Sequence, residues 1–291
     1  AEYLGMQGEP ERVDSLDGKF DPQRFFCLVG TNHEDYNVAA GLSSKMAGEM
    51  SDGLVRITNA AVKGAPRAFV HRSHSGPFGI VNSEDGYQNL TRFLFGTHRV
   101  DGFIEVEELP LPKSIRDAHK ENKTIRGSYY FEATLAPRGA ITYTMTQRRK
   151  ETFSAVLRKF DELLRVERVD GLDKPRSPYM FTAYLDKSKI TSGRQLVFSI
   201  DVAVSSTEFE IDEFLFFDKT IPGEHLFRNN IVIRITPGAD GPAVRYIFSD
   251  DGWGESRGSD VETDEKGMYI PLTSRKGFKA KFRFQLTEWN L

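Results

Sequence analysis

The stretch Phe278-Lys279-Ala280-Lys281-Phe282-Arg283-Phe284-Gln285-Leu286 alternates apolar and polar residues without a break. Successive side chains of a strand point to opposite faces, so Phe278, Ala280, Phe282, Phe284 and Leu286 share one apolar face. This pattern describes a half-buried strand. Working back from it, the segments SYYFEATLA (128–136), AITYTMTQR (140–148), YMFTAYLD (179–186), LVFSIDVAV (196–204), EFEIDEFLFF (208–217), NIVIRITP (230–237), AVRYIFSD (243–250) and MYIPL (268–272) also read as strands. Gly, Pro, Asp and Asn turns separate them, as in a sandwich or barrel. Residues 127–291 are therefore expected to form an all-β sandwich-like domain. One exception is FSAVLRKFDELLRV (153–166), whose Phe153, Val156, Leu157, Phe160, Leu163 and Leu164 form a stripe at helical spacing and predict one packed helix.

The first hundred residues read differently. The run RFFCLVG (24–30) is short, apolar and closed by glycine, consistent with a strand buried on both faces of a parallel sheet. A polar, Gly-rich excursion follows, then a second strand, AFVHR (68–72), and the loop SHSGPFGIVN (73–82). From Ser83 the spacing of Tyr87, Leu90, Phe93 and Leu94 predicts a helix that Ser83 and Glu84 cap and Gly96 stops. Strand, loop, strand, loop and helix in this order predict an α/β sheet over residues 1–100. The charged, Pro-containing text of residues 101–126, with ELPLPK and RDAHKENK, reads as a linker between the two domains.

Composition narrows the function classes. An apolar fraction of 39%, with 22 Phe and 10 Tyr in 291 residues, supplies the core of a folded chain. Lys plus Arg number 39 against 42 Asp plus Glu, and a net charge of −3 gives no field to gather nucleic acid. No apolar run reaches the roughly 18 residues of a membrane span, and the opening AEYLGMQGEPERVD has neither the basic nor the apolar region of a signal peptide. A soluble protein is expected, its compartment unspecified. The single cysteine, Cys27, lies in the apolar run and reads as a buried strand thiol, with a reactive thiol as the alternative.

Two stretches concentrate unusual polar residues: Ser51-Asp52-Gly53-Leu54-Val55 and Ser73-His74-Ser75-Gly76. In a serine hydrolase a carboxylate holds the imidazole in one tautomer and stabilises its charged form, so an acid and a histidine must converge from two loops. Asp52 and His74 are the candidates. The bland reading is a turn-forming Asp52 and a surface or satisfied His74.

The segment SDGLVRITNA resembles the acid-bearing loop of lipase-type α/β-hydrolases, and HSGPFGIVNSEDGYQNLTRFLFG resembles the loop and last helix that carry the family's histidine. The resemblance covers roughly residues 20–100 and implies the C-terminal part of an α/β-hydrolase sheet, with Asp52 orienting and His74 acting as general base and acid. It implies no cofactor. The order acid then histidine fits the family, but the serine should precede both on a Gly-x-Ser-x-Gly elbow. Gly41-Leu42-Ser43-Ser44-Lys45 lacks the second glycine. Gly254-Glu255-Ser256-Arg257-Gly258 matches but follows His74 and leads into an acidic, non-helical stretch, so it reads as a hairpin loop. The nucleophile is then expected on an upstream hydrolase segment or a partner chain.

Other residues invite functional readings beside plainer ones. His71 is a strand neighbour of His74. His33 with Glu34 and Asp35 forms a cation-like cluster or a solvated loop. The acidic tract 250–265 is a calcium loop or an ordinary acidic surface, and Phe214–Phe217 with Ile221–Phe227 are lipid-touching loops or core. The leading expectation is a serine ester hydrolase of lipase or carboxylesterase type, acting on an ester or lipid substrate, with peripheral membrane contact a further possibility. Its rival is a non-catalytic binding or structural protein that uses the β-sandwich for lipid or partner binding.

Overall fold

Two antiparallel sheets enclose most of the core. The computed structural model describes residue 16 and residues 18–36, 50–137, 143–144, 156–164, 168–169, 172–173, 177–186, 195–212, 219–236, 238, 242–251 and 258–290. One sheet has five strands in the order β10 (Tyr179–Leu185), β3 (His98–Glu108), β19 (Lys279–Glu288), β18 (Gly267–Thr273) and β17 (Glu262–Asp264). The other has seven and runs through β16 (Ser259–Asp260), β15 (Ala243–Phe248), β14 (His225–Thr236), β11 (Leu196–Ser206), β5 (Ser128–Pro137) and β6 (Tyr143–Thr144), with β7 (Val156–Lys159) also paired to β5. Smaller ladders are β13 (Lys219–Ile221), β12 (Phe209–Ile211) and β4 (Ile125–Arg126), and the pair β8 (Arg168–Val169) and β9 (Leu172–Asp173).

Alternation explains the packing. On β19, Ala280, Phe282 and Phe284 are buried, together with Phe278 just before the strand, as its period of two predicts. Phe198, Ile200, Val202 and Val204 of β11 and Ile231, Ile233 and Ile235 of β14 join them in one continuous hydrophobic cluster. The Phe227 and Phe278 rings meet across the two sheets, 5.9 Å between centroids. The expected sandwich-like architecture is present.

The α/β-hydrolase expectation is overturned. Such a fold needs a many-stranded parallel sheet covered by helices on both faces. Here the parallel ladder among the described residues is the pair β1 (Cys27–Gly30) and β2 (Arg67–Val70). The described α-helices are α1 (Glu84–Phe95), α2 (Lys113–Lys120) and the five-residue α3 (Phe160–Leu164). Strand, loop, strand and helix do occur in the expected order, but they are an appendage to the antiparallel sheets. Val29 and Phe69 belong to the same core cluster as the sandwich residues. Residues 101–126 also differ from a simple linker, carrying most of β3, all of α2 and all of β4.

One helical reading needs correction and the other holds. The stripe in 153–166 divides into β7 and α3 at Lys159/Phe160, because Val156 takes a place opposite Phe131 on β5 while Phe160 and Leu163 bury on the helical turn. For α1 the period is right, and Ser83 Oγ caps it by accepting from the Gly86 amide at 3.0 Å. Its burial is different: Gly86 and Asn89 face inward, whereas Tyr87, Leu90 and Leu94 stay 61%, 54% and 40% exposed. Phe93 anchors the helix, its ring 5.5 Å from Phe26, 5.3 Å from Tyr184 and 5.6 Å from Trp289. Trp289 Nε1 also donates to the Phe93 carbonyl at 2.7 Å. Among the described residues no helix is long and apolar enough to cross a membrane.

On the face of the five-stranded sheet opposite Phe282, the nearly buried Arg283 clamps Asp264 with two hydrogen bonds of 2.7 and 2.6 Å and also bonds Glu105. Lys266 reaches Glu105 at 2.6 Å. The Arg283 hydrogen bonds hold the Asp264 carboxyl well below its ordinary range. Burial opposes ionisation of Glu105, but its bonds to Lys266 and Arg283 outweigh that and lower its pKa as well.

Two outcomes follow for stability. Phe93→Ala should cost about 2–3 kcal/mol in chemical denaturation, whereas Leu90→Ser should stay within about 0.5 kcal/mol; equal losses would contradict the anchoring role of Phe93. Both depressed carboxyls contribute above their unfolded pKa of about 4 and lose that contribution as pH falls through the lower folded values. Arg283→Met should therefore lower the melting temperature at neutral pH, and the gap to wild type should close on acidification.

Candidate active site

Asp52 sits in a tight loop whose ends are tied by the bridge Ser51–Arg56 and by the Ile57 amide donating to the Met50 carbonyl at 2.9 Å. Its Oδ1 accepts from the Leu54 and Val55 amides at 3.1 and 2.7 Å, the side chain standing in for a backbone turn. Ser51 Oγ accepts from the Gly53 amide at 3.1 Å. Gly53 has φ +95°, and a Cβ there would lie 2.2 Å from Tyr36 Cβ. The position thus needs both the left-handed backbone and the missing side chain. A Cβ on Gly30, the last residue of β1, would lie 2.8 Å from Asp52 Cβ. Glycine there lets the loop lie against the strand end.

His74 follows β2. Its amide donates to the Asp52 carbonyl at 2.8 Å, and the buried Ser73 before it donates its amide to Phe78 and accepts from Ile80. These bonds fold residues 73–80 into a closed turn and aim the imidazole at Asp52. His74 Nδ1 lies 3.0 Å from Asp52 Oδ2. The carboxylate is nearly sequestered, with 7% of the side chain exposed, and the imidazole is 38% exposed. Tyr36 meets the His74 ring edge to face at 5.8 Å. An ionised carboxylate only accepts, so against one the imidazole donates from Nδ1.

The two residues singled out in the sequence are thus brought together. One ring nitrogen is held against a nearly buried acid while the imidazole as a whole stays 38% exposed. Tyr36, Gly30 and Gly53 shape the pair; Gly53 lies within the singled-out stretch 51–55 and Gly30 closes the apolar run 24–30, whereas no motif marked Tyr36.

The other candidates lie elsewhere. His71 Nδ1 is 3.4 Å from Thr31 Oγ1, a structural contact at the end of the parallel ladder. Cys27 is half-buried, its Sγ accepting from the Val62 amide at 3.4 Å. Among the described residues, no group of three His, Cys, Asp or Glu side chains that could hold a metal occurs. In the acidic tract Asp264 is engaged by Arg283, Asp260 pairs with Arg245 at 3.0 Å, and Glu262 accepts from the Tyr269 hydroxyl at 2.7 Å. Leu226 and Phe227 are core. Gly41–Lys45, Phe214–Phe217 and Ser256 lie outside the described residues.

No protein-family model, curated protein or solved structure gives a match to this chain.

Adding a methyl group at Gly53 tests the loop directly. Gly53→Ala should destabilise the protein by about 1–3 kcal/mol through backbone strain and displace Tyr36, which would be visible as altered near-ultraviolet circular dichroism; an unchanged stability and spectrum would contradict this account of the loop.

Proposed function

We propose that Asp52 and His74 are the orienting acid and the general base of a serine ester hydrolase, with the attacking hydroxyl supplied from outside the described residues or by a partner chain. The observation that carries this reading is the 3.0 Å contact between His74 Nδ1 and a nearly buried Asp52 carboxylate. Nε2 would take the serine proton as its oxygen attacks the ester carbonyl. The imidazolium that forms is stabilised by Asp52, then gives its proton to the departing alcohol. Water repeats the cycle on the acyl-enzyme. No metal or organic cofactor is required for these steps.

The surroundings support an apolar ester or a lipid surface as what approaches. Phe78 and Val81 on the loop after His74, and Tyr87, Leu90, Leu94 and Phe95 on α1, are all exposed. Water-facing apolar residues in this density mark surfaces that meet something apolar.

The test uses the full-length natural protein with p-nitrophenyl esters of short and medium acyl chains. His74→Gln and Asp52→Asn should each lower turnover by about 100- to 10,000-fold, with a melting temperature close to wild type for His74→Gln. A fluorophosphonate probe should label one serine, and peptide mapping would identify it. Unchanged turnover in His74→Gln would reject the assignment.

A further inference from the structure

A cavity of about 480 Å³ opens where the segment Met50–Gly64, β2, the β7–α3 corner and Tyr179 meet. Its volume lies within the range of small-molecule sites. Ile57, Phe69, Val156 and Tyr179 give it an apolar wall. Four cations, Lys63, Arg67, Arg158 and Lys159, line it against one carboxylate, Glu162. That carboxylate accepts from the Lys159 amide at 2.9 Å and offsets part of the charge of Arg158, which leaves the lining with an excess of cations.

The two arginines are the unusual feature. Like charges in a partly buried wall repel, and folded proteins ordinarily pair such groups with carboxylates. Among the described residues neither guanidinium has a salt bridge. Among the described residues the Arg158 guanidinium donates only to the neighbouring Leu157 carbonyl, at 2.8 Å. Arg67 lies over the Tyr179 ring, 5.1 Å from its centroid, and its buried Nε has no hydrogen-bond partner among the described residues. Burial, and then the charge of Arg67, lower the pKa of Arg158, and the nearby Glu162 carboxylate offsets them only in part.

The arrangement is held in place by ordinary structure. The Arg67 amide donates to the Tyr179 hydroxyl at 3.1 Å, that hydroxyl bonds Thr182, and Thr182 donates to Asp101. Tyr179 is therefore fixed as the platform beneath the Arg67 guanidinium. Arg158 is fixed by the pairing of β7 with β5, Tyr129 opposite Arg158. Two forks on rigid strands, with Lys63 and Lys159 beside them, form a receptor for an anion.

We propose that this cavity binds a small organic anion whose oxyanion head, a phosphate monoester or a carboxylate, sits between Arg67 and Arg158 while its apolar body lies against Ile57, Phe69 and Val156. The excess of cations favours a doubly charged head. Met50 and Ile57 at the base of the Asp52 loop line this cavity, whereas the tip of the loop holds His74. The proposal does not rest on the hydrolytic reading, and either can fail alone.

Isothermal titration of the full chain with phenyl phosphate, benzoate, inorganic phosphate and phenol tests it. Phenyl phosphate or benzoate should bind, phenol should not, and Arg158→Gln, Arg67→Gln and the solvent-exposed Lys63→Gln should each weaken binding, the two arginine variants by tenfold or more. Phenyl phosphate binding more tightly than benzoate would support a phosphate head; the reverse ranking would support a carboxylate source for the same site. Inorganic phosphate should bind more weakly than phenyl phosphate, and His74→Gln should leave all affinities unchanged. Binding of neither anion, equal binding of phenol, or affinity untouched in folded Lys63→Gln and arginine variants alike would overturn the proposal.

Discussion

The pairing of β3 with β19 is the constraint on which the rest of the molecule depends. It runs from Glu108 opposite Lys279 to His98 opposite Glu288, joining segments far apart in the chain. The entropy of closing so long a loop rises slowly with its length, so one extended ladder with a buried face can sustain it. The same ladder sorts side chains. Val100, Ile104 and Val106 enter the core with Ala280, Phe282 and Phe284, while Glu105 pairs with the nearly buried Arg283 on the opposite face. Once β3 is set, its other edge receives β10. From β10, Tyr179 reaches Arg67 on β2 and Tyr184 reaches Phe93 on α1. The parallel pair and its helix are thus fastened to an antiparallel sheet through two tyrosines.

The Asp52–His74 contact is built from short-range devices laid over that frame. Each loop closes on itself through turns that need little from the rest of the fold. What the frame supplies is the separation of β1 and β2, whose register sets Gly30 opposite Val70 and so brings the two following loops together. A parallel ladder of two adjacent strands ends both of them at the same edge, which is the geometric reason that an acid after one and a histidine after the other can meet. The cation-lined cavity uses the other end of β2, where Arg67 begins the strand. Two chemically distinct surfaces therefore share a four-residue strand.

Legibility in the sequence followed the physics of each element. The β19 pattern was readable because one face is dry and the other wet, so the period of two is written in residue types. The meeting of Asp52 with His74 was readable because His74 stands just after an apolar strand and Asp52 stands in a polar turn between the two apolar strands. The helix stripe at 153–166 misled because Val156, Phe160 and Leu163 satisfy a helical period while equally serving a strand that turns into a helix. In α1 the period was legible and the buried face was not: Gly86 packs inward because the Ile80 carbonyl approaches it closely, and Asn89 is buried with its amide donating to the Asp85 carbonyl, neither of which hydrophobicity encodes. The Arg67–Arg158 cavity left no signal at all, since its two guanidiniums lie far apart in sequence and meet only through tertiary packing.

The departure from the hydrolase expectation separates two things that the short motifs had joined. An acid, a histidine and the strands before them form a local unit, and such a unit specifies how two side chains meet without specifying the sheet to which the strands belong. Parallel neighbours on both sides would have buried β1 and β2 completely, yet Cys27 and Leu28 are only half-buried and β2 leans on β10 through a tyrosine hydroxyl. The core is instead assembled by antiparallel pairs whose residues alternate. The contact between Asp52 and His74 is therefore set by two loops, by the β1–β2 register that brings them together and by the close approach that Gly30 and Gly53 allow, and it needs no parallel sheet beyond those two strands.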